Sequence, residues 1–195
     1  MRTNLIHLYV DEVLKFRKAL NLTSISQADL FYSRFIQPSI TLGRWMPTQG
    51  RMLDIGSGMG IPGIPLLISK PELTGVLVER RKKRAEFLRH IVRKLKLDAE
   101  VYDADASALP PLHADVCVAR AVTDQSLLLE MCSIHVNPGA IAVFPVPQGD
   151  GFVEAEGWMA LQQHLIELGG GGETTVQQVC CYQYHKPEEG AGGFT

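Results

Sequence analysis

A short apolar segment that leads into a carboxylate and four closely spaced glycines carries the clearest chemical signal in this sequence. The carboxylate is Asp54, and the glycines are Gly56, Gly58, Gly60 and Gly63. Glycine permits backbone conformations with positive φ and lets the main chain approach a ligand closely. Glycines placed between a strand and a helix therefore predict a nucleoside-containing ligand at the carboxyl end of the strand.

Asp54 helps to decide which ligand this is. The spacing of Gly58, Gly60 and Gly63 also satisfies the dinucleotide-binding pattern, which taken alone is a weak signal. A pyrophosphate is an anion that binds at the positive end of a helix, so a carboxylate just before the glycines would repel it. S-adenosylmethionine carries an ammonium and a sulfonium beside one carboxylate, and an acid attracts both cations. The residues thus favour S-adenosylmethionine, and a tight glycine turn without a ligand is the remaining alternative.

Three later strand ends carry further polar residues. Glu79 ends the second predicted strand, where a carboxylate can accept hydrogen bonds from both ribose hydroxyls. The alternative interpretation is that Glu79 only places a favourable negative charge at the start of a helix. Ala104 and Asp105 follow the third strand, where a carboxylate can accept a bond from the adenine amine; an acidic surface turn is the alternative. Arg120 ends the fourth strand, as either a substrate contact or the partner of a nearby carboxylate.

These positions need a sheet to bring them together, and the apolar pattern from residue 51 onward predicts one. Apolar runs alternate with helical patterns, which is typical of a doubly wound α/β fold with a mostly parallel sheet. The predicted strands span residues 51–55, 75–79, 99–102, 114–119, 140–144 and 176–184. The predicted helices lie near residues 61–69, 80–97, 123–135 and 152–168.

The rest of the chain predicts a helical cap and a tail. Residues 5–20 have apolar side chains at helical spacing, and residues 26–35 predict a second helix that stops before Pro38. Pro145 and Pro147 are expected to end the fifth strand. We therefore predict an N-terminal cap over residues 1–50, a cofactor-binding domain over 51–184, and a mobile tail over 185–195 after the glycine run 169–172.

Charge is distributed unevenly along the chain. The net charge is −2, but residues 1–96 carry 17 Lys and Arg against 7 Asp and Glu, whereas residues 97–195 carry 2 against 14. Nine of the basic residues fall within residues 80–96, where Glu86 is the only acid. This segment predicts either a groove for a phosphate backbone or a solvated helix face.

Composition allows predictions about the cellular compartment of the protein and the state of its cysteines. No apolar run reaches the roughly 18 residues that span a bilayer, and the N-terminus lacks a secretory pattern, so we expect a cytoplasmic protein without a membrane partner. Four cysteines lack the Cys-x-x-Cys spacing of a metal or redox site and are expected to be buried free thiols. We expect no metal.

Taken together, the loop and the residues behind it resemble a known family. Three segments, residues 53–66, 83–88 and 120–122, are similar to the bacterial 16S rRNA guanine-N7 methyltransferases, also called glucose-inhibited division protein B. The extension Gly-x-Pro-Gly-Ile-Pro-Leu over residues 60–66 makes the resemblance far more specific than a bare glycine loop would. The resemblance covers roughly residues 20–145, and it implies a Rossmann-like class I methyltransferase fold, S-adenosylmethionine as the donor, and 16S rRNA or RNA derived from the 30S subunit as the partner.

The resemblance and the residue chemistry together give one set of predicted cofactor contacts. These are Asp54, Gly56, Ser57, Gly58, Gly60, Ile61, Glu79, Ala104, Asp105 and Arg120. We expect no general acid or base, because guanine N7 has an exposed lone pair and needs only in-line placement against the sulfonium.

The half of the chain that would bind the acceptor departs from the family pattern. Phe35 and Pro38 stand where the family has His and Asp, Asp103 where it has Arg, and Gln148 where it has Lys. A final antiparallel strand has no evident counterpart after Tyr184, so we expect the last strand to be missing. A different methyl acceptor, or an RNA-binding or nucleotide-binding module without catalysis, therefore remains an alternative.

Overall fold

The computed structural model describes residues 2–120, 124–168 and 175–187 of the chain. Within these residues, seven strands form one sheet in the order β3-β2-β1-β4-β5-β7-β6. The first five strands are parallel, and β7 runs antiparallel to both β5 and β6. The strands are β1 (Gly50–Ile55), β2 (Leu73–Val78), β3 (Ala99–Tyr102), β4 (Ala114–Ala119), β5 (Val136–Val146), β6 (Trp158–Leu168) and β7 (Thr175–Tyr184).

Helices cover both faces of this sheet, which confirms the predicted doubly wound class. The α-helices are α1 (Arg2–Phe16), α2 (Ala28–Phe31), α3 (Gln37–Leu42), α4 (Gly63–Ser69), α5 (Lys82–Leu95) and α6 (Gln125–Ser133). One core lies between the sheet and helices α1 to α5, and a second lies between the sheet and α6. Neighbouring residues of β1 serve opposite cores, with Met52 in the first and Leu53 in the second, because side chains alternate along a strand.

The N-terminal helices share the first core with the sheet. Tyr9 on α1 is fully buried, and its hydroxyl donates to the carbonyl of Met59 in the glycine loop at 2.9 Å. Helix α1 ends at Phe16, earlier than expected. The division of the chain at residue 50 into a cap and a main domain stays a prediction. The glycine run 169–172 and residues 188–195 of the predicted tail lie outside the described residues.

The predicted helix over residues 152–168 is wrong, because residues 158–168 form strand β6. Its apolar residues Trp158, Leu161, Leu165 and Leu168 are spaced three or four apart, as on a helix face. The strand arises from long-range pairing with β7, in which an irregularity between Ala160 and Gln162 shifts the register. The same strand completes the sheet, so the expectation of a missing last strand is also wrong.

Two smaller boundaries also differ, and both involve proline. The helical path does not stop before Pro38; a π-helical turn, Tyr32–Ile36, leads directly into α3 with Pro38 as its second residue. A wider turn accommodates a residue that has no N–H and whose ring would clash in a regular helix. Strand β5 likewise continues through Pro145 to Val146, since its pairing with β4 ends at Val143 and only β7 lies beside the proline.

Candidate active site

The glycine loop lies at the carboxyl end of β1, as the sequence predicts. The N–H groups of Gly56 and Ser57 both donate to the carbonyl of Val78 at the end of β2, at 2.8 and 3.0 Å. Gly56, Gly58 and Gly60 have φ values of +69°, +58° and +100°, which side chains rarely tolerate. The loop is thus held to the neighbouring strand by its backbone, and its path requires glycine.

Asp54 lies beneath this loop and has no exposed surface. Its Oδ2 accepts a hydrogen bond from the N–H of Gly63 at the start of α4, at 3.1 Å, while its Oδ1 has no hydrogen-bond partner in the described residues. A Cβ at position 63 would lie only 2.4 Å from Oδ2, so the glycine lets the helix start against the carboxylate. Burial raises the pKa of Asp54 to about 7. Direct contact of Asp54 with a ligand stays a prediction; here it supports the loop and the start of the helix.

Ser57 and Ile61 are also buried and support the loop from within. The Ser57 hydroxyl donates to the carbonyl of Asp54 at 2.8 Å, and its own carbonyl accepts from the N–H of Gly60 at 2.7 Å. Ile61 packs into the first core. Both residues therefore have a structural role in the loop. The sequence pattern alone could not distinguish this role from contact with a ligand.

Glu79 connects the glycine loop to the start of α5. It is buried; its Oε2 accepts from the N–H of Gly58 at 2.9 Å and its Oε1 accepts from the N–H of Arg81 at 2.7 Å. A carboxylate has about four lone-pair sites, so two remain for hydroxyl donors. The predicted ribose acceptor therefore lies beside the loop at the end of β2.

Asp105 takes the position of a capping residue after β3. It is exposed, and its Oδ1 accepts from the backbone N–H and the hydroxyl of Ser107, at 3.1 and 2.8 Å. These hydrogen bonds hold the pKa of the Asp105 carboxyl below its usual value. Ala104 beside it is half-buried. The local geometry is that of an acidic surface turn, which was the alternative interpretation of these residues. Contact of Asp105 with adenine stays a prediction.

Arg120 ends β4 and lies against an aromatic ring rather than a carboxylate. Its Cζ lies 4.5 Å from the centre of the Phe35 ring, and burial lowers its pKa. No salt bridge to Arg120 occurs in the described residues. Residue spacing did not indicate this pairing, although Phe35 is one of the positions at which the sequence departs from the family it resembles.

A cavity of about 760 Å³ opens next to Arg120, at the carboxyl ends of β4 and β5. The connection between β5 and β6 forms much of its wall. The sequence pattern does not indicate this cavity, because part of that connection was predicted to be a helix. The residues that line it are Ala119, Arg120, Asp124, Gln125, Ser126, Leu128, Phe144, Pro145, Val146, Pro147, Gly149, Asp150, Gly151, Phe152, Val153 and Gln177.

The basic segment divides into structural and exposed positions. Lys94 and His90 contact the buried Glu12 of α1 at 2.6 and 2.5 Å, so they hold α5 to the N-terminal helix. Arg84 donates to the carbonyl of Asn21 at 2.5 Å. The residues at the start of the segment are exposed at the same edge as the glycine loop, and these are Arg80, Arg81, Lys82 and Lys83.

Two further observations concern metal ions and membranes. Among residues 2–120, 124–168 and 175–187, no three His, Cys, Asp or Glu side chains are grouped so that they could hold a metal ion. No helix in those ranges has the length and hydropathy that crossing a membrane requires. All four cysteines are buried and free, which confirms that prediction.

Comparison with known families decides the relationship. The model of the GidB family, described as rRNA small subunit methyltransferase G, matches residues 2–144. The chain belongs to this family. The GidB match ends within β5, so the wall of the cavity formed by residues 145–153 lies beyond it.

Curated GidB relatives and solved structures agree with this assignment. Ribosomal RNA small subunit methyltransferase G of Cereibacter sphaeroides is 39% identical over 142 residues, which cover 70% of this chain and 69% of the relative. The protein of the same name from Syntrophotalea carbinolica is 31% identical over 185 residues, which cover 86% of this chain and 84% of that relative.

Among solved structures, M. jannaschii TYW2 in complex with AdoMet shares the fold with a TM-score of 0.58 at 13% identity, covering 83% of this chain and 78% of that one. HI0767 from Haemophilus influenzae has a TM-score of 0.58 at 21% identity, covering 76% and 89%.

Proposed function

We propose that this chain uses S-adenosylmethionine to methylate N7 of a guanine in 16S rRNA, in the cytoplasm. Membership of the GidB family supports the reaction class. The observation that carries the choice of donor is the glycine loop held between Asp54 and Glu79, next to the point where the strand order reverses between β1 and β4. Open α/β sheets bind ligands at this switch point.

The residues of the loop fit such a cofactor. The backbone at Gly56 and Gly58 is partly exposed, and a Cβ built at Gly58 would meet only the Gly56 carbonyl and the Glu79 carboxylate, at 3.7 and 4.0 Å. In our proposal Glu79 accepts from the ribose hydroxyls and Asp105, with Ala104, borders the adenine. The buried Asp54, Ser57, Gly60 and Ile61 hold the loop in shape. When bound, the cofactor supplies an electrophilic methyl group on a sulfonium.

The protein contributes placement rather than proton transfer in this proposal. Guanine N7 attacks with its own lone pair, so the chain needs to hold the base in line and to exclude water. The cavity beside Arg120 has the size of a small-ligand site and lies at the same sheet edge as the loop. Arg120 is the basic residue among those that line this cavity.

RNA binding in this proposal depends on the exposed basic residues at the start of the α5 segment. Arg80, Arg81, Lys82 and Lys83 are exposed at the edge where β2 ends, beside Glu79. Lysine and arginine side chains that neutralise phosphates release counterions, so affinity should fall as salt rises. Replacing Lys82 and Lys83 by Gln should lower the affinity for rRNA and reduce the slope of log affinity against log salt by about two. The affinity for cofactor should not change.

The test is methyl transfer in a defined mixture. The purified protein is incubated with S-adenosylmethionine that carries an isotope-labelled methyl group and with small ribosomal subunits or 16S rRNA that lack the modification. We expect labelled 7-methylguanosine among the nucleosides after digestion. Label in a different nucleoside or in a different RNA would contradict the proposed acceptor and would identify the actual one. Binding of S-adenosylhomocysteine without any transfer would favour the module without catalysis.

A further inference from the structure

The connection between β5 and β6 forms one wall of the cavity, and hydrogen bonds to side chains of β6 and β7 hold its backbone in place. The buried Gln178 of β7 accepts from the N–H of Gly149 at 3.2 Å and donates to the carbonyl of Asp150. That carbonyl also accepts from the Gln163 side chain at 3.1 Å, and the N–H of Val153 donates to the hydroxyl of Tyr182 at 3.0 Å. The backbone of residues 149–153 is thus fixed from β6 and β7.

This anchoring uses the backbone of Asp150 and leaves its carboxylate available. Asp150 and Asp124 both line the cavity. The Asp124 carboxylate accepts from the N–H of Leu127 at 2.9 Å and from the hydroxyl of Ser126 at 3.2 Å, so it caps α6. In the described residues no hydrogen bond or ion pair engages the Asp150 carboxylate, which is exposed. Asp150 is therefore the acid of this wall that a ligand can use.

An aromatic ring stands two residues further along the same wall. Phe152 is 40% exposed, and its ring meets that of Tyr182 nearly at right angles, with the ring centres 5.4 Å apart. An edge contact of this kind fixes a ring without covering both of its faces. Phe152 therefore offers a flat apolar surface inside a cavity of about 760 Å³.

A carboxylate beside an open aromatic face is a selective site for one base. Guanine presents two adjacent donors, N1–H and the exocyclic amine, which match the two oxygens of a carboxylate. Adenine and cytosine each present a ring acceptor beside an amine, and uracil has carbonyls on both sides of its N–H, so each would repel one carboxylate oxygen. Enzymes that modify bases read the Watson–Crick edge of an extruded base and stack its ring in this way.

We propose that this wall is the pocket for the acceptor base, in which Asp150 accepts from N1–H and the amine of a guanine and Phe152 stacks on its ring. Binding through that edge leaves N7 on a different edge of the purine, where it is free to meet the methyl donor. The inference rests on the proposed function and deepens it, since it assigns guanine specificity to residues that lie beyond the region matched by the GidB model.

The first test measures methyl transfer to unmodified small ribosomal subunits by four variants. Asp150→Asn should lower kcat/KM by about tenfold or more, because one of two matched acceptors becomes a donor. Phe152→Ala should lower it as well, and Phe152→Tyr should retain most of the wild-type value. Glu154→Gln is the matched control, since it removes an exposed acid of the same connection that does not line the cavity, and it should behave as the wild type. The Kd for S-adenosylhomocysteine should be the same in all four.

The second test does not depend on rRNA. Guanosine, inosine and adenosine monophosphates are titrated into the protein loaded with S-adenosylhomocysteine. We expect the guanosine nucleotide to bind more tightly than inosine monophosphate, which lacks the amine, and adenosine monophosphate to bind most weakly; Asp150→Asn should remove this order. Equal binding of all three nucleotides by the wild type, or unchanged methylation by Asp150→Asn, would overturn the pocket. Failure of the wild type to methylate any rRNA contradicts the proposed function instead, and the titration still decides about the pocket.

Discussion

The two candidate sites at the carboxyl ends of the strands are held together in different ways. At β1 and β2, hydrogen bonds among residues 54–81 join the glycine loop, Asp54 and Glu79, and each of these bonds has a backbone group as one partner. At β4 and β5, the wall of the cavity is held by Gln178 and Tyr182 of β7, which lie about 30 residues away along the chain. The first site is local in sequence and the second is assembled by the fold. Substitutions at the first site should therefore act on stability and cofactor binding, and those at the second on the acceptor.

Asp54 should give the largest effect, visible as a pH dependence of stability. Its pKa is raised from 3.8 to about 7 by burial, so the folded protein holds a proton that the unfolded chain releases. The stabilisation from this proton is complete below about pH 4 and is lost as the pH rises through about 7. The difference in unfolding free energy between the wild type and Asp54→Asn should change over this window by on the order of 4 kcal/mol. Urea denaturation at a series of pH values measures it, and a difference independent of pH would contradict the buried state of this carboxyl.

Gly63→Ala should come next and should act on folding. The added Cβ would lie 2.4 Å from Asp54 Oδ2 and 2.9 Å from the Leu77 side chain, inside a packed core. We expect the unfolding free energy to fall by about 2–3 kcal/mol. Gly151→Ala is the matched control at the second site, because a Cβ there meets nothing within 4 Å. Equal losses for the two variants would remove the distinction between the two sites.

Glu79→Gln should weaken the cofactor with little effect on the acceptor. An amide at this position turns one acceptor toward the N–H of Gly58 or Arg81 into a donor, and it removes the charge that favours ribose hydroxyls. We expect the affinity for S-adenosylhomocysteine, measured by calorimetry, to fall by about tenfold to a hundredfold, as for a hydrogen bond to a charged group. Glu72→Gln, an exposed acid before β2, serves as the control. Undiminished affinity in Glu79→Gln would show that the ribose lies elsewhere.

Phe35→Leu should give the smallest effect, through Arg120. The ring holds the guanidinium at 4.5 Å, and a contact of this kind contributes about 0.5–2 kcal/mol. We expect kcat/KM for rRNA to fall by about threefold to tenfold, and Phe35→Trp, which keeps an aromatic face, to recover most of it. Equal activity of the Leu and Trp variants would mean that the ring does not position Arg120.

The contrast between the two sites also explains how far the sequence could predict this molecule. The loop, the first five strands and Glu79 follow from contiguous patterns, because strands buried on both faces and glycine turns leave a local signature. Strand β6 does not, since Leu161 and Leu165 have helical spacing and only pairing with β7 makes the segment extended. The wall of the cavity was missed for the same reason. Its residues converge through Gln178 and Tyr182, and no spacing in residues 145–153 reveals that contact.

The masses of rRNA fragments from the source organism test the proposed methylation in the cell. Small-subunit rRNA is isolated from a strain that lacks this gene, from the same strain expressing the wild-type chain, and from the strain expressing Glu79→Gln. We expect one fragment to lose the mass of a methyl group in the deletion strain. We expect 7-methylguanosine to return with the wild-type chain and to return poorly with Glu79→Gln. Fragments of identical mass in all three strains would contradict the proposed methylation.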